Sequence, residues 1–269
     1  MRRFRLLVLA VAVVMAAALA VSAVAQRAAA DGTLPELRCP EGTLELSVRA
    51  LDDQALLAGV TAWDEKDGDL TDRIVVQGLG KSIEDGMTTV TYVVADEDHH
   101  VATVTRPVRL VDYQPPRFTL SQPLTYPVGA TIAVRDRLTA WDAIDGDLSD
   151  RIKLTTNGLA VYSEGTYPLT CEVTNSLGDT TTVSLELTIR NESSGAPQIV
   201  LSTYLVYLQA GEELDPLAYV DQVIGGDRRN IQVQGPEEGL TKGATGRVVY
   251  TCRGANGETG TATLYVFVE

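Results

Sequence analysis

Ala62-Trp63-Asp64-Glu65-Lys66-Asp67-Gly68-Asp69-Leu70-Thr71-Asp72-Arg73-Ile74 returns 78 residues later as Ala140-Trp141-Asp142-Ala143-Ile144-Asp145-Gly146-Asp147-Leu148-Ser149-Asp150-Arg151-Ile152, with ten of the thirteen positions identical. A recurrence of this length marks an internal repeat, one small domain to each copy. A weaker third copy follows at an offset of 79, which places Asp221 on Asp142, Gly225 on Gly146 and Ile231 on Ile152. In that alignment Ile224, Gly226 and Arg229 replace three of the four acids, and Val220 stands where the first two copies have tryptophan.

The rest of each copy also corresponds. Thr89 to Asp96 matches Pro168 to Asn175, and Val248 to Cys252 occupies the same place in the third. Each run then passes a short polar tip (Glu97 to His100, Ser176 to Asp179, Ala255 to Glu258) into a last Thr/Val-rich run. Polar tips between period-two apolar runs are hairpins. Long stretches of helical period are absent after residue 30, so the chain is read as all-β, three tandem immunoglobulin-like antiparallel sandwiches behind an N-terminal apolar helix. The domains expected are 34–113, 114–191 and 197–269, with linkers at 26–33 and 192–196. Pro115-Pro116 stiffens the first joint, whereas Ser193-Ser194-Gly195 predicts a looser second one and an arrangement of separate beads.

Residues 1–25 have the form of an export leader: Arg2, Arg3 and Arg5 precede an uncharged apolar run that ends in Ala23-Val24-Ala25. Cleaved, this segment is a signal peptide; retained, it is a signal anchor, since the run is about the roughly 20 residues that a spanning helix needs. In both cases the positive N-terminal flank leaves the domains outside the cytoplasm, secreted or held on the outer face of the membrane. The formal charge of the chain is -14. That excess repels phosphate backbones and anionic headgroups, so no nucleic-acid partner is expected and contact with a membrane runs only through an uncleaved leader. Cys39, Cys171 and Cys252 are too few and too widely spaced for a disulfide framework. Cys171 and Cys252 fit as small buried strand residues, and Cys39 is left as a thiol of open state.

The motif resembles the bacterial immunoglobulin-like domain of the pesticidal-crystal-protein type. Residues 114–190 carry the resemblance best, through Tyr126-Pro127-Val128-Gly129, Asp142, Asp145-Gly146-Asp147, Ile152, Gly165-Thr166-Tyr167 and Asn175 to Asp179. Residues 34–113 depart from it at Asp98-His99-His100, and residues 196–269 keep little of the motif. The resemblance implies a sandwich of immunoglobulin or cadherin type, tandem repeats on secreted or surface proteins, no enzymatic activity and no fixed ligand.

Two roles stand open for the acids. Asp-Gly-Asp builds turns, because Asp side chains accept from backbone N–H groups two residues on and Gly tolerates positive φ. The same oxygens are what Ca²⁺ takes as ligands, which makes Asp64, Asp67, Asp69 and Asp72, and likewise Asp142, Asp145, Asp147 and Asp150, candidate calcium ligands. Asp96 and Asn175, at the strand-to-hairpin junctions, join them if the fold brings that end near the motif. The spacing is not that of an EF-hand. Trp63 and Trp141 are expected as partly buried packing positions, on the strength of Val220 in the third copy. The Tyr204, Tyr207, Tyr219 and Tyr265 excess of the third copy suggests core or adhesive residues, and His99-His100 reads as a solvated turn.

No His is placed for a nucleophilic triad, and Gly-x-Ser-x-Gly, phosphate-loop and dinucleotide fingerprints are missing. The expectation is therefore no enzyme. It is a non-catalytic spacer, adhesion or protein-binding unit whose partner is an unknown surface protein or polysaccharide. A carbohydrate-binding accessory module is the alternative, and an exposed aromatic platform would be its mark.

Overall fold

The structure, a computed structural model, describes residues 13–21, 32–81, 83, 85–191, 195–236 and 240–269. Of the expected leader, residues 13–21 are helical and solvent-exposed, while 1–12 and 22–25 lie outside the described residues. Among the described residues no helix is long and apolar enough to cross a membrane.

The first repeat holds β1 (Glu36–Arg38), β2 (Leu44–Leu46), β3 (Thr61–Asp64), β4 (Gly68–Asp69), β5 (Val75–Leu79), β6 (Met87–Ala95) and β7 (Val101–Leu110). They form two sheets, β1-β3-β4 and β2-β7-β6-β5. β1 pairs antiparallel with β3, but β2 pairs parallel with β7, so the opening segment switches sheets and closes both edges. Alternation supplies the core: along β6, Val90, Tyr92 and Val94 are buried while Thr89 is exposed. Successive strand side chains point to opposite faces, so one face of each sheet is apolar and the two apolar faces must meet. A turn of helix at Asp53–Leu56, capped by Asp52 Oδ1 on the Ala55 N–H at 2.8 Å, carries Leu56 into that core. Tyr92 is anchored there by donating to the Leu56 carbonyl at 2.6 Å.

The second repeat repeats this plan with β8 (Arg117–Leu120), β9 (Thr125–Tyr126), β10 (Leu138–Asp142), β11 (Gly146–Asp147), β12 (Lys153–Thr156), β13 (Gly165–Thr174) and β14 (Thr180–Ile189). Its sheets are β11-β10-β8 and β12-β13-β14-β9, again with a parallel closing pair, β9 on β14. The third has β15 (Gln198–Leu201), β16 (Leu205–Leu208), β17 (Val220–Ile224), β18 (Ile231–Gln234), β19 (Thr245–Arg253) and β20 (Thr259–Val268). Its sheets are β15-β17 and β16-β20-β19-β18. The fold is all-β, three immunoglobulin-like sandwiches in tandem, and among the described residues no sheet crosses from one repeat to the next.

Cys171 and Cys252 are free and buried in β13 and β19, and burial pushes the Cys171 thiol up to about 12. Cys39 is free and partly exposed.

The second and third repeats are not separate beads. They form one compact unit with a continuous apolar core that runs from Phe118 and Leu120 through Leu187 and Ile189 to Leu205, Leu264 and Val266. The tyrosines of the third repeat clamp it to the second. Tyr207 Oη accepts the Phe118 N–H at 2.6 Å, and Tyr265 Oη accepts the Glu186 N–H at 2.9 Å. Arg117 lies 5.0 Å over the Tyr207 ring and pairs with Glu269, while Arg247 pairs with Glu186. Burial holds the Tyr207 and Tyr265 phenols up at about 12, so both remain protonated. Tyrosine suits such a seam because its ring is apolar and its hydroxyl satisfies a buried backbone group.

Candidate functional site

In both of the first two repeats the acidic motif is a β-hairpin that ends the smaller sheet. Trp63 pairs with Asp69 and Asp64 with Gly68; Trp141 pairs with Asp147 and Asp142 with Gly146. Gly68 and Gly146 take φ of +78° and +73°, which is why glycine stands there. Beyond the hairpin Leu70 and Leu148 turn back into the core, each N–H donating at 2.9 Å to the carbonyl of Ala62 or Ala140. A single 3₁₀ turn follows, Thr71–Arg73 or Ser149–Arg151.

Each acid has a defined place. Asp64 and Asp142 are both 1% exposed and act as turn caps: Asp64 Oδ1 accepts Lys66 N–H at 2.9 Å and Asp67 N–H at 3.0 Å, and Asp142 Oδ1 accepts Ile144 N–H at 2.8 Å and Asp145 N–H at 3.0 Å. Asp67 and Asp145 fasten the hairpin to the neighbouring turn. Asp67 Oδ2 accepts Glu97 N–H at 2.7 Å; Asp145 Oδ2 accepts Ser176 N–H at 2.6 Å, with the Ser176 hydroxyl on Oδ1 at 2.6 Å. Asp69 and Asp147 are exposed and accept the Thr71 and Ser149 N–H groups at 2.9 Å. The Thr71 and Ser149 hydroxyls, then their N–H groups, hold these two carboxyls below the usual range. Asp72 and Asp150 are exposed in the first turn of their 3₁₀ segments, away from the buried acids.

The hairpin junctions do come near the motif. Asn175, 5% exposed, accepts Leu177 N–H (3.0 Å) and Asp179 N–H (2.9 Å) on Oδ1. Its Nδ2 donates to Tyr113 Oη at 2.8 Å and to Asp142 Oδ2 at 3.2 Å. Tyr113 Oη in turn donates to Asp179 Oδ2 at 2.8 Å, and burial, then Asp179, raises this phenol well above its ordinary range. In the first repeat the same place is held by Asp96, which takes His100 N–H at 2.7 Å on Oδ1 and His100 Nδ1 at 2.8 Å on Oδ2. Burial opposes its ionisation, but the His100 N–H and ring outweigh that and leave the carboxyl below its ordinary value. His100 is thus a partner of Asp96 and not a bare solvated tip. Lys66 Nζ meets Asp98 Oδ2 at 2.5 Å. Asp64 Oδ2 is buried and has no hydrogen-bond partner among the described residues.

Of the ten candidate ligands, then, Asp64, Asp67 and Asp96 share one junction, and Asp142, Asp145 and Asn175 another. Asp69, Asp72, Asp147 and Asp150 do not join them. Among the described residues no group of three or more His, Cys, Asp or Glu side chains is arranged as a metal cage.

Two expectations need correction. Trp63 and Trp141 are 53% and 59% exposed, on the outer faces of β3 and β10, because the inward phase belongs to Ala62 and Asp64, and to Ala140 and Asp142. A groove of about 180 Å³ beside Trp63 is lined by Glu36, Arg38 and Thr61, the first two joined by a bidentate ion pair. The frame of the third repeat is also different. Val220 pairs with Leu201 as Leu138 pairs with Leu120, and Ile224 pairs with Gln198 as Trp141 pairs with Arg117. A bulge in β15–β17 adds a residue, whereas only four positions separate Ile224 from the 3₁₀ turn at Arg228 against eight between Trp141 and Ser149. The acidic hairpin is deleted there, and the constant offset is the net of insertion and deletion. An open groove of about 530 Å³ lined by Arg229, Asn230, Ile231, Gln232, Arg253 and Gly254 occupies that end.

No protein-family model and no curated protein matches the chain. Among solved structures it is similar to a carbohydrate-binding module 51-2 in complex with GlcNAc and INT domains of Clostridium perfringens ZmpB, at 17% identity over 55% of this chain and 26% of that one, TM-score 0.23. It is similar also to Drosophila N-cadherin EC1-4 (15% identity, 78% and 63% covered, TM-score 0.23) and to mouse cadherin-23 EC22-24 (17%, 88% and 99%, TM-score 0.21). The chain spans 26%, 50% and 31% of the first three structures it matches. At such identities and TM-scores they add nothing to what the strand order establishes.

Proposed function

We propose that the chain is a non-catalytic, exported bacterial surface or secreted protein of the pesticidal-crystal-protein immunoglobulin-like type, whose tandem sandwiches hold a binding surface away from the membrane. The observation that carries this reading is the tyrosine-clamped union of the second and third repeats. A shared apolar core resists bending at the joint far better than a flexible linker does. The export-leader form of residues 1–25 supports a position outside the cytoplasm, cleaved or anchored.

A carbohydrate-binding role is the second reading, and the exposed tryptophans favour it. An indole face on a sheet surface, bordered by Glu36, Arg38 and Thr61, offers a sugar ring both stacking and hydrogen bonds. The test is an array of cell-wall and exogenous polysaccharides probed with the full chain beside Trp63→Ala and Trp141→Ala. Binding that both substitutions weaken supports the glycan reading; uniform failure to bind leaves the spacer. Proteolysis of the outer surface of intact cells, with sequencing of the mature N-terminus, checks the export half.

A further inference from the structure

We propose that the junction between the first acidic hairpin and the β6–β7 turn is a site for a hard divalent cation of the calcium class, held by Asp64 Oδ2 and the Asp96 carboxylate, and that the matching junction of the second repeat is not such a site. This goes beyond the spacer and glycan readings and does not depend on either.

A carboxylate buried as deeply as Asp64 is tolerated only when its lone pairs are met. Oδ1 is met twice, by Lys66 and Asp67 N–H; among the described residues nothing meets Oδ2. The second repeat shows what completes the arrangement. Asp142 has the same burial and the same two bonds to Oδ1, and its Oδ2 receives an amide hydrogen from Asn175. Both hairpins dock alike, through Asp67 on Glu97 N–H and Asp145 on Ser176 N–H, so the residue opposite Asp64 is the counterpart of Asn175. That residue is Asp96, 2% exposed. An ionised carboxylate has no hydrogen to give. The exchange of amide for carboxylate therefore removes the donor and adds a negative charge at the place where positive charge is wanted.

Neither cationic side chain at this end meets Asp64 Oδ2: the His100 ring is on Asp96 Oδ2 and Lys66 Nζ is on Asp98. A hard cation answers both needs, since it accepts oxygen ligands from two carboxylates and fills the rest of its shell with water and carbonyl oxygens. So few protein ligands place the site in the weak range of extracellular modules, with Kd on the order of 10⁻⁴ to 10⁻³ M.

The experiment is terbium luminescence on the full chain stripped with chelator, sensitised by Trp63, the neighbour of Asp64, with calcium as competitor. The expected result is saturable emission displaced by calcium, abolished in Asp64→Asn, weakened at least tenfold in Asp96→Asn and unchanged in Asp142→Asn. Asp96→Asn restores the amide that the second repeat already carries, so it folds and decides the matter even if Asp64→Asn does not. Absence of saturable emission, emission that survives Asp96→Asn at full affinity, or emission lost in Asp142→Asn overturns the proposal.

Discussion

In the second repeat Asp142 Oδ2 accepts the Asn175 amide at 3.2 Å; in the first, Asp64 Oδ2 is just as buried and meets no donor. Ten of thirteen hairpin residues are the same in the two copies, and the backbone pairings correspond one for one. The difference arises outside the motif, in one residue at the end of the neighbouring strand. Identical loops thus acquire different chemistry from what they dock against. In the second repeat both oxygens of the buried acid are met, and in the first one of them is left over.

Removing the keystone of the closed junction should cost most. Asn175→Ala deletes four hydrogen bonds and leaves the Asp142 carboxylate buried and half met, a loss of about 3 kcal/mol by the cost of buried unsatisfied groups. Thermal or urea unfolding of the full chain measures it. Asp96→Ala should cost less, because the Asp96 carboxyl serves only its own turn, through the His100 N–H and ring and the Asp98 N–H, and donates nothing to the hairpin acid. Equal losses would break the comparison. Asn175→Asp imposes the first junction on the second: without divalent metal it should lose about 1 to 2 kcal/mol, the range for an unmatched buried acceptor, and millimolar calcium should restore part of that. A melting temperature indifferent to calcium in that variant would count against the charge argument.

Much of this was legible in sequence, and the failures have physical causes. The period-two runs and polar tips gave the strands, and the Asp-x-x-Asp-Gly spacing gave the turn role that Asp64 and Asp142 fill. The tryptophans defeat a reading by residue type because strand phase decides their exposure; Ala62 and Asp64 inward require Trp63 outward. The third repeat hides its frame because residues gained before Ile224, the bulge among them, are offset by the four lost after it, and this brings the 3₁₀ turn back to an offset of 79. The Tyr207 and Tyr265 seam depends on contacts between repeats, and Tyr113 on a contact from the joint to the Asn175 turn. Neither follows from local pattern.

Tyr113→Phe tests that last contact. It removes one hydroxyl that accepts from Asn175 and donates to Asp179, while the amide bond to Asp142 survives, so the loss should be about 1 kcal/mol, the net worth of a typical hydrogen bond. A loss as large as that of Asn175→Ala would mean that the hydroxyl, and not the amide, closes the junction.

The smallest effect is expected where the two loops agree. Asp69 and Asp147 are exposed, and both are held below the ordinary carboxylate range by the hydroxyl and N–H two residues on. A carboxyl whose folded value is depressed contributes stability that is complete above the ordinary value of about 3.9 and fades as pH falls through the depressed one. Thr71→Val and Ser149→Ala remove the hydroxyl and keep the N–H, so the Asp69 and Asp147 carboxyls should titrate closer to 3.9 in carbon-detected NMR. The two shifts should be alike in direction, since in both loops the hydroxyl is the first cause of the depression and the 2.9 Å backbone bond survives the substitution. Each hydroxyl also accepts the Ala62 or Ala140 N–H at 3.2 Å, so the variants should destabilise slightly at every pH, with only the acid limb of the stability profile changing slope. Shifts opposed in direction would show that the loops differ before the hairpin turn is reached, and that the contrast at Asp64 and Asp142 does not begin with Asp96.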